Sequence, residues 1–139
     1  MREILFRGKA INRDKGYHRT NYKNGDWVYG LITRLYDNQF PSLPAEMSVM
    51  GVSGIEVDYN TIGQYTGLTV SSGKIFEHDI VTAKFKNNGA RFNFTVKYSY
   101  EKGGYVFDNG SIKVPFCDIR SVKIIGNIHD NPELLKGGE

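Results

Sequence analysis

The clearest periodicity lies in the second half of the chain. From Asp79 to Lys86, Val81, Ala83 and Phe85 alternate with Ile80, Thr82, Lys84 and Lys86. From Arg91 to Tyr98, Phe92, Phe94, Val96 and Tyr98 alternate with Arg91, Asn93, Thr95 and Lys97. A period of two marks a strand with one buried face. Asn87-Asn88-Gly89-Ala90 separates the runs, and Asn and Gly accept positive φ at little cost. The pattern predicts an antiparallel hairpin with the polar set, basic residues included, on its outer side. Further strands are predicted at Tyr105–Phe107, Ile112–Val114 and Val122–Ile125, after the turns Lys102-Gly103-Gly104 and Asp108-Asn109-Gly110. One helical turn closes the chain, with Asn131 as cap, Pro132 at the first position and Gly137 as stop.

The first half is less regular. Glu3 to Ile11 reads as a strand with Ile4 and Phe6 on one face and Glu3, Leu5 and Arg7 on the other. Asn12 to Asp26 is polar and basic and reads as a long hairpin loop. Trp27 to Leu35 is β-branched and aromatic, hence a strand. Tyr36 to Gly54 contains Pro41 and Pro44, which remove ladder donors, and is predicted to be an excursion outside regular structure. Ile55 to Asp58 is a short strand with Ile55 and Val57 on one face. Strands every ~8–12 residues point to a small barrel or sandwich. The expected fold is mainly β with little helix. An N-terminal β part with long loops covers residues 1–60 and a small SH3-like barrel covers 61–139, with one compact unit as the alternative.

Composition supports strands and turns, with nine Tyr, eight Phe and 16 Gly. No segment approaches the ~20 apolar residues that cross a bilayer, so no membrane partner is expected. The N-terminus has a charge inside its apolar patch and lacks signal-peptide form, which points to the cytoplasm. Cys117 is the single cysteine. It sits in the apolar stretch Val114–Ile119 and reads as a buried small hydrophobe. The formal net charge is +3, but residues 1–35 hold eight basic and three acidic side chains. Such an excess either attracts a polyanion or simply solubilises the surface.

The side chains suited to metal or acid–base work are His18, His78, His129, Glu77, Asp79, Asp118 and Asp130. No paired-histidine spacing or cysteine cluster accompanies them, and no nucleophile elbow or phosphate loop occurs. No cofactor, metal site or catalytic residue is therefore assigned. On the hairpin, Lys84, Lys86, Arg91 and Lys97 share the polar face with Asn93, near Tyr98 and Tyr100. A basic β face with aromatics is a way to hold single-stranded nucleic acid, whereas lysine on strands also blocks edge pairing.

Three segments carry a resemblance. They are Ile62-Gly63-Gln64-Tyr65-Thr66-Gly67-Leu68, then Gly73-Lys74-Ile75-Phe76-Glu77-His78-Asp79-Ile80-Val81, then Ile124-Ile125-Gly126-Asn127-Ile128-His129-Asp130-Asn131-Pro132-Glu133-Leu134-Leu135. With the opening Met1-Arg2-Glu3-Ile4-Leu5-Phe6-Arg7, the chain resembles the YopX family, encoded mainly by phages and prophages. His78 stands where the family more often has glycine, and His129 where it often has an aromatic residue. The resemblance implies a β-rich fold and a phage or prophage origin, and implies no reaction. Physically, Gly73 permits a turn, Ile75 and Phe76 anchor it, and Asp79 accepts backbone N–H bonds where a strand begins. Gly67 is read as the end of its segment, with Tyr65 and Leu68 packing.

The sequence thus points to a non-catalytic binding or structural module. A nucleic-acid-binding β-barrel is the alternative, and an enzyme is the competing class. A homo-oligomer is expected, because small β domains leave edge strands and this chain is rich in aromatics. The contact arm is read as the Phe40-to-Met50 excursion, through Phe40, Leu43, Met47 and Met50.

Overall fold

A computed structural model describes residues 2–11, 22–35, 45–49 and 52–136. It is mainly β, with antiparallel pairing throughout. The chain divides into two compact units, Met1–Tyr65 and Thr66–Glu139, with the division inside one strand.

The first unit contains β1 (Phe6–Lys9), β2 (Trp27–Arg34), β3 (Ala45–Val49) and β4 (Val52–Val57). Strand β5 (Gly63–Val70) begins here, and its Gly63 and Gln64 pair with β1. The sheet order is β4-β3-β2-β1, and an isolated bridge between Ala10 and Val57 ties the end of β1 back to β4. Ala10, Val28, Ala45, Met47, Ile55 and Val57 form the core of this unit, with Phe6, Tyr22 and Ile62 packed against them. Gly8 lies close over this core: a Cβ there would stand 3.3 Å from Val57 and Ile62, tighter than ordinary van der Waals contact.

Two expectations about this half are corrected. The excursion contains a regular strand: Ala45–Val49 pairs with both β2 and β4, and Met47 is fully buried. Apolar Ala45 and Met47 alternate with Glu46 and Ser48, a strand signal masked by the prolines before it. Met47 therefore has no surface to offer a second chain, while Phe40, Leu43 and Met50 lie outside the described residues. On β1 the facing is also different. Ile4 is exposed, Arg7 is buried, and Phe6 shares its side with Gly8 and Ala10.

The second unit holds the rest of β5, β6 (Gly73–Phe76), β7 (Asp79–Phe85), β8 (Arg91–Ser99), β9 (Gly104–Asp108), β10 (Lys113–Val114), β11 (Ile119–Asn127) and the short helix α1 (Glu133–Lys136). Five strands form one sheet in the order β10-β9-β8-β7-β11. Its inner face contributes Val81, Ala83, Phe94, Val96, Phe107, Val114 and Ile119 to a core. Ile75 of β6 and Leu68 and Val70 of β5 complete that core. The predicted hairpin is present, with Val81 opposite Phe94 and Ala83 opposite Phe92, and Gly89 takes φ 72° in the turn.

The expected SH3-like barrel does not form among the described residues. The sheet is open at β10 and β11, and β10 offers only Lys113 and Val114 for pairing before Pro115. Gly67, at φ 90°, does not end its segment, because β5 runs on to Val70. Ile80, placed on the polar side by alternation, is fully buried. Cys117 lies in a one-turn 3-10 helix (Phe116–Asp118) and is exposed, contrary to the reading of it as a core residue. No helix among the described residues is long and apolar enough to cross a membrane.

Candidate functional site

The outer face of the five-stranded sheet brings the hairpin cations into a specific arrangement. Cα partners across a ladder share a face. Arg120 of β11 is opposite Lys84 of β7, and Lys84 is opposite Arg91 of β8. Three cations thus stand in one row across three adjacent strands. Lys123 lies opposite Thr82 in the next row, and Thr82 opposite Asn93. Arg91 donates from Nη1 to Thr82 Oγ1 at 3.1 Å, which ties its guanidinium to the neighbouring strand. The Arg120 guanidinium reaches toward the hairpin turn, where a Cβ on Gly89 would lie 3.7 Å from it. Among the described residues none of Arg120, Lys84, Arg91 and Lys123 forms an ion pair with a carboxylate.

Alternation alone does not place Arg120 and Lys123 together on this face. They are three residues apart, and unbroken alternation sends them to opposite faces. A register shift between them, with Ser121 at φ 54°, turns both outward. This is the signature of a β-bulge.

The other hairpin candidates separate. Lys86 lies beyond the end of β7, where its N–H donates to the Asp118 carbonyl, and it lines a different hollow with Phe85 and Ile112. Lys97 is on the outer face but is paired with Asp108 at 3.2 Å. Tyr98 is on the inner side of β8, in edge contact with Tyr105 and Tyr100 at ring separations of 5.3 and 5.0 Å. The aromatics expected beside the cations are therefore on the opposite face of the sheet.

A groove continues from the cations along β8. Asn93, Thr95 and Lys97 line it with Asp108, Asn109 and Gly110, and Leu134 and Leu135 of α1 lie against it. Its cavity volume is about 210 Å³. Burial pushes the Asp108 carboxyl up, but the Gly110 N–H at 2.8 Å, the Lys97 ammonium and the charge of Lys113 outweigh that effect and leave it below the usual carboxylate range.

The segments at residues 73–81 and 124–135 meet at one end of the sheet. The Asp79 carboxylate is buried and accepts from Phe76 N–H at 2.8 Å, as its place before the strand predicts. Asp79 pairs with Asn127, and the Ile128 N–H donates to the His78 carbonyl at 3.0 Å. Asn127 accepts from the N–H groups of His129 and Asp130, while Asn131 Oδ1 accepts from Asn127 N–H at 3.3 Å. His78, at φ 75°, places its ring edge-on to His129 with centroids 5.5 Å apart. This knot holds α1 over the groove. Among the described residues no three His, Cys, Asp or Glu side chains gather as metal ligands, and His18 lies outside those residues.

Comparison with known proteins agrees with the architecture. No curated protein matches the chain. It is similar to a solved structure titled protein EF1440 from Enterococcus faecalis, with a TM-score of 0.54 and 24% identity over 97% of this chain and 99% of that one. At that identity the likeness concerns the fold. The pattern of the YopX family, described as YopX protein, matches residues 33–136. That span takes in β3 to α1, including the open sheet, its bulged edge and the knot beneath α1. The chain belongs to the YopX family.

Proposed function

We propose that this protein is a non-catalytic accessory module of a phage or prophage that binds single-stranded nucleic acid in the host cytoplasm through the outer face of its C-terminal sheet. The observation that carries the reading is the row Arg120–Lys84–Arg91. Like charges directly opposite one another on a sheet cost stability. Edge protection accounts for cations on β11, which ends the sheet, but not for Lys84 and Arg91 on interior strands. A chain of phosphates neutralises such a row and releases counterions on doing so.

Anisotropy of labelled oligonucleotides, titrated between roughly 50 and 200 mM salt, tests this. If about four phosphates are engaged, the logarithmic salt slope is about −3, since each contributes ~0.7 on a single strand. Replacing Lys84, Arg91 and Arg120 together by Gln flattens the slope and removes most of the affinity. Absence of binding to any DNA or RNA at the low-salt end overturns the reading.

Self-association is a second reading, favoured by a separate observation. Tyr29 and Leu31 are 45% and 51% exposed at alternate positions of β2, hence on one face. Light scattering well above 15.7 kDa, lowered by Leu31→Lys, supports it. A monomer at every concentration reached removes it.

A further inference from the structure

The reading above rests on the cations alone, and the groove that continues from them has a chemistry of its own. Along β8 the outer-face side chains are Arg91, Asn93, Thr95 and Lys97, in that order. Arg91 and Thr95 are roughly 14 Å apart along the strand. A nucleic-acid strand with its phosphates on the cation row therefore carries neighbouring bases toward the groove. The volume of about 210 Å³ is below the ~300–1,000 Å³ of pockets for larger ligands and suits a single ring system.

The lining matches a flat group with apolar faces and a polar edge. Leu134 and Leu135 supply an apolar wall. The Asn93 side chain makes no hydrogen bond among the described residues, so its amide keeps donors and acceptor for a ligand. Thr95, only 5% exposed, lines the same cavity. Asp108 is held in place from two sides, by Gly110 N–H at 2.8 Å and Lys97 Nζ at 3.2 Å. An ionised carboxylate has about four acceptor sites, so this one has acceptor capacity left over.

Resting on the nucleic-acid reading, we infer that the groove between β8, β9 and α1 is a nucleobase subsite that selects bases carrying an exocyclic amino group. A carboxylate accepts from the amino group of cytosine, and an Asn amide pairs with the amino edge of adenine. Thymine and uracil have one donor on that edge, N3–H, flanked by carbonyl oxygens on both sides, so a carboxylate that accepts from it meets repulsion that an amino group does not impose. A base inside a duplex is stacked and cannot enter without being turned out, so the preferred form is single-stranded.

Labelled oligo(dC), oligo(dA) and oligo(dT) of equal length, measured by anisotropy at one salt concentration, test the subsite. Oligo(dC) and oligo(dA) bind about five- to tenfold tighter than oligo(dT). Asn93→Ala and Asp108→Asn each bring the three within about twofold; Asn93→Ala leaves the salt slope unchanged, whereas Asp108→Asn frees Lys97 and steepens the slope by less than about one. Asn93→Ala leaves the Lys97–Asp108 pair intact, so it remains informative if Asp108→Asn fails to fold. Arg120→Gln weakens all three equally and lowers the slope. Equal, salt-dependent binding of the three oligomers by the unaltered protein overturns the subsite and leaves the nucleic-acid reading standing. Unchanged preference in folded Asn93→Ala and Asp108→Asn proteins overturns it as well. No binding of any oligomer overturns both.

Discussion

The two units use their cations in opposite ways. In the first, Arg7 is 6% exposed, with its guanidinium 4.6 Å from the centre of the Trp27 ring, and Lys9 Nζ is 5.4 Å from the same ring. These charges face an aromatic surface on their own sheet. In the second, Arg120, Lys84 and Arg91 face one another and the solvent. The N-terminal segment carries the larger charge excess, yet two of its basic side chains are spent internally. A charge count along a sequence therefore does not locate a binding surface. What matters is whether the fold gives each cation a partner.

The difference breaks most visibly at Trp27. Trp27→Ala removes the surface under both Arg7 and Lys9, and the unfolding free energy of the protein falls by about 2–3 kcal/mol. Urea denaturation measures this, and a change below about 1 kcal/mol contradicts the account of the first unit.

The next effect concerns the knot that holds α1. A Cβ on Gly126 would overlap the Asn131 side chain, whose Oδ1 accepts from Asn127 N–H. Gly126→Ala is expected to cost about 1–2 kcal/mol. Hydrogen exchange would show the loss concentrated at residues 127–135, where a uniform loss would place the strain elsewhere.

At the cation row the sign reverses. Lys84→Thr removes a charge flanked by two others and adds a good strand former, so stability rises by up to about 0.5 kcal/mol while oligonucleotide affinity falls. A loss of stability would show that the row is compensated rather than strained.

The smallest effect is in acid. The Asp108 carboxyl is lowered in the folded protein, so its contribution is present above the unfolded carboxylate value of about 3.9 and disappears as pH falls through the lower folded value. Denaturation curves of Asp108→Asn and the parent should differ above pH ~4 and converge below it. A constant difference would assign the effect to the side chain's shape.

How far the sequence reveals this molecule varies with the same contrast. The β7–β8 hairpin is written in its alternation and its Asn-Asn-Gly turn, because one face of each strand meets a continuous core. Asp79 is legible for a local reason, since a carboxylate before a strand finds nearby N–H groups. Strand β3 is hidden because Pro41, Pro44 and Gly51 dominate a run whose own alternation spans only five residues. The burial of Arg7 reverses what alternation with Ile4 suggests, because the ring that receives it is contributed by another strand. Arg120 and Lys123 are the hardest case. Nothing in Ser121 signals a left-handed backbone, and only the pairing with β7 shows the phase change.

That phase change also bears on how this edge of the sheet meets another polypeptide. Strand β11 is the rim of an open sheet, a place where a second polypeptide can add its own backbone. Its ladder to β7 is interrupted twice, between Arg120 and Lys123 and between Ile124 and Gly126, and Ile124 N–H is already held by Ser72 Oγ at 3.0 Å. A straight incoming strand meets a rim whose donors and acceptors fall out of step within a few residues. The irregularity that brings Arg120 and Lys123 onto one face thereby also discourages fibril-like growth from this side of the molecule.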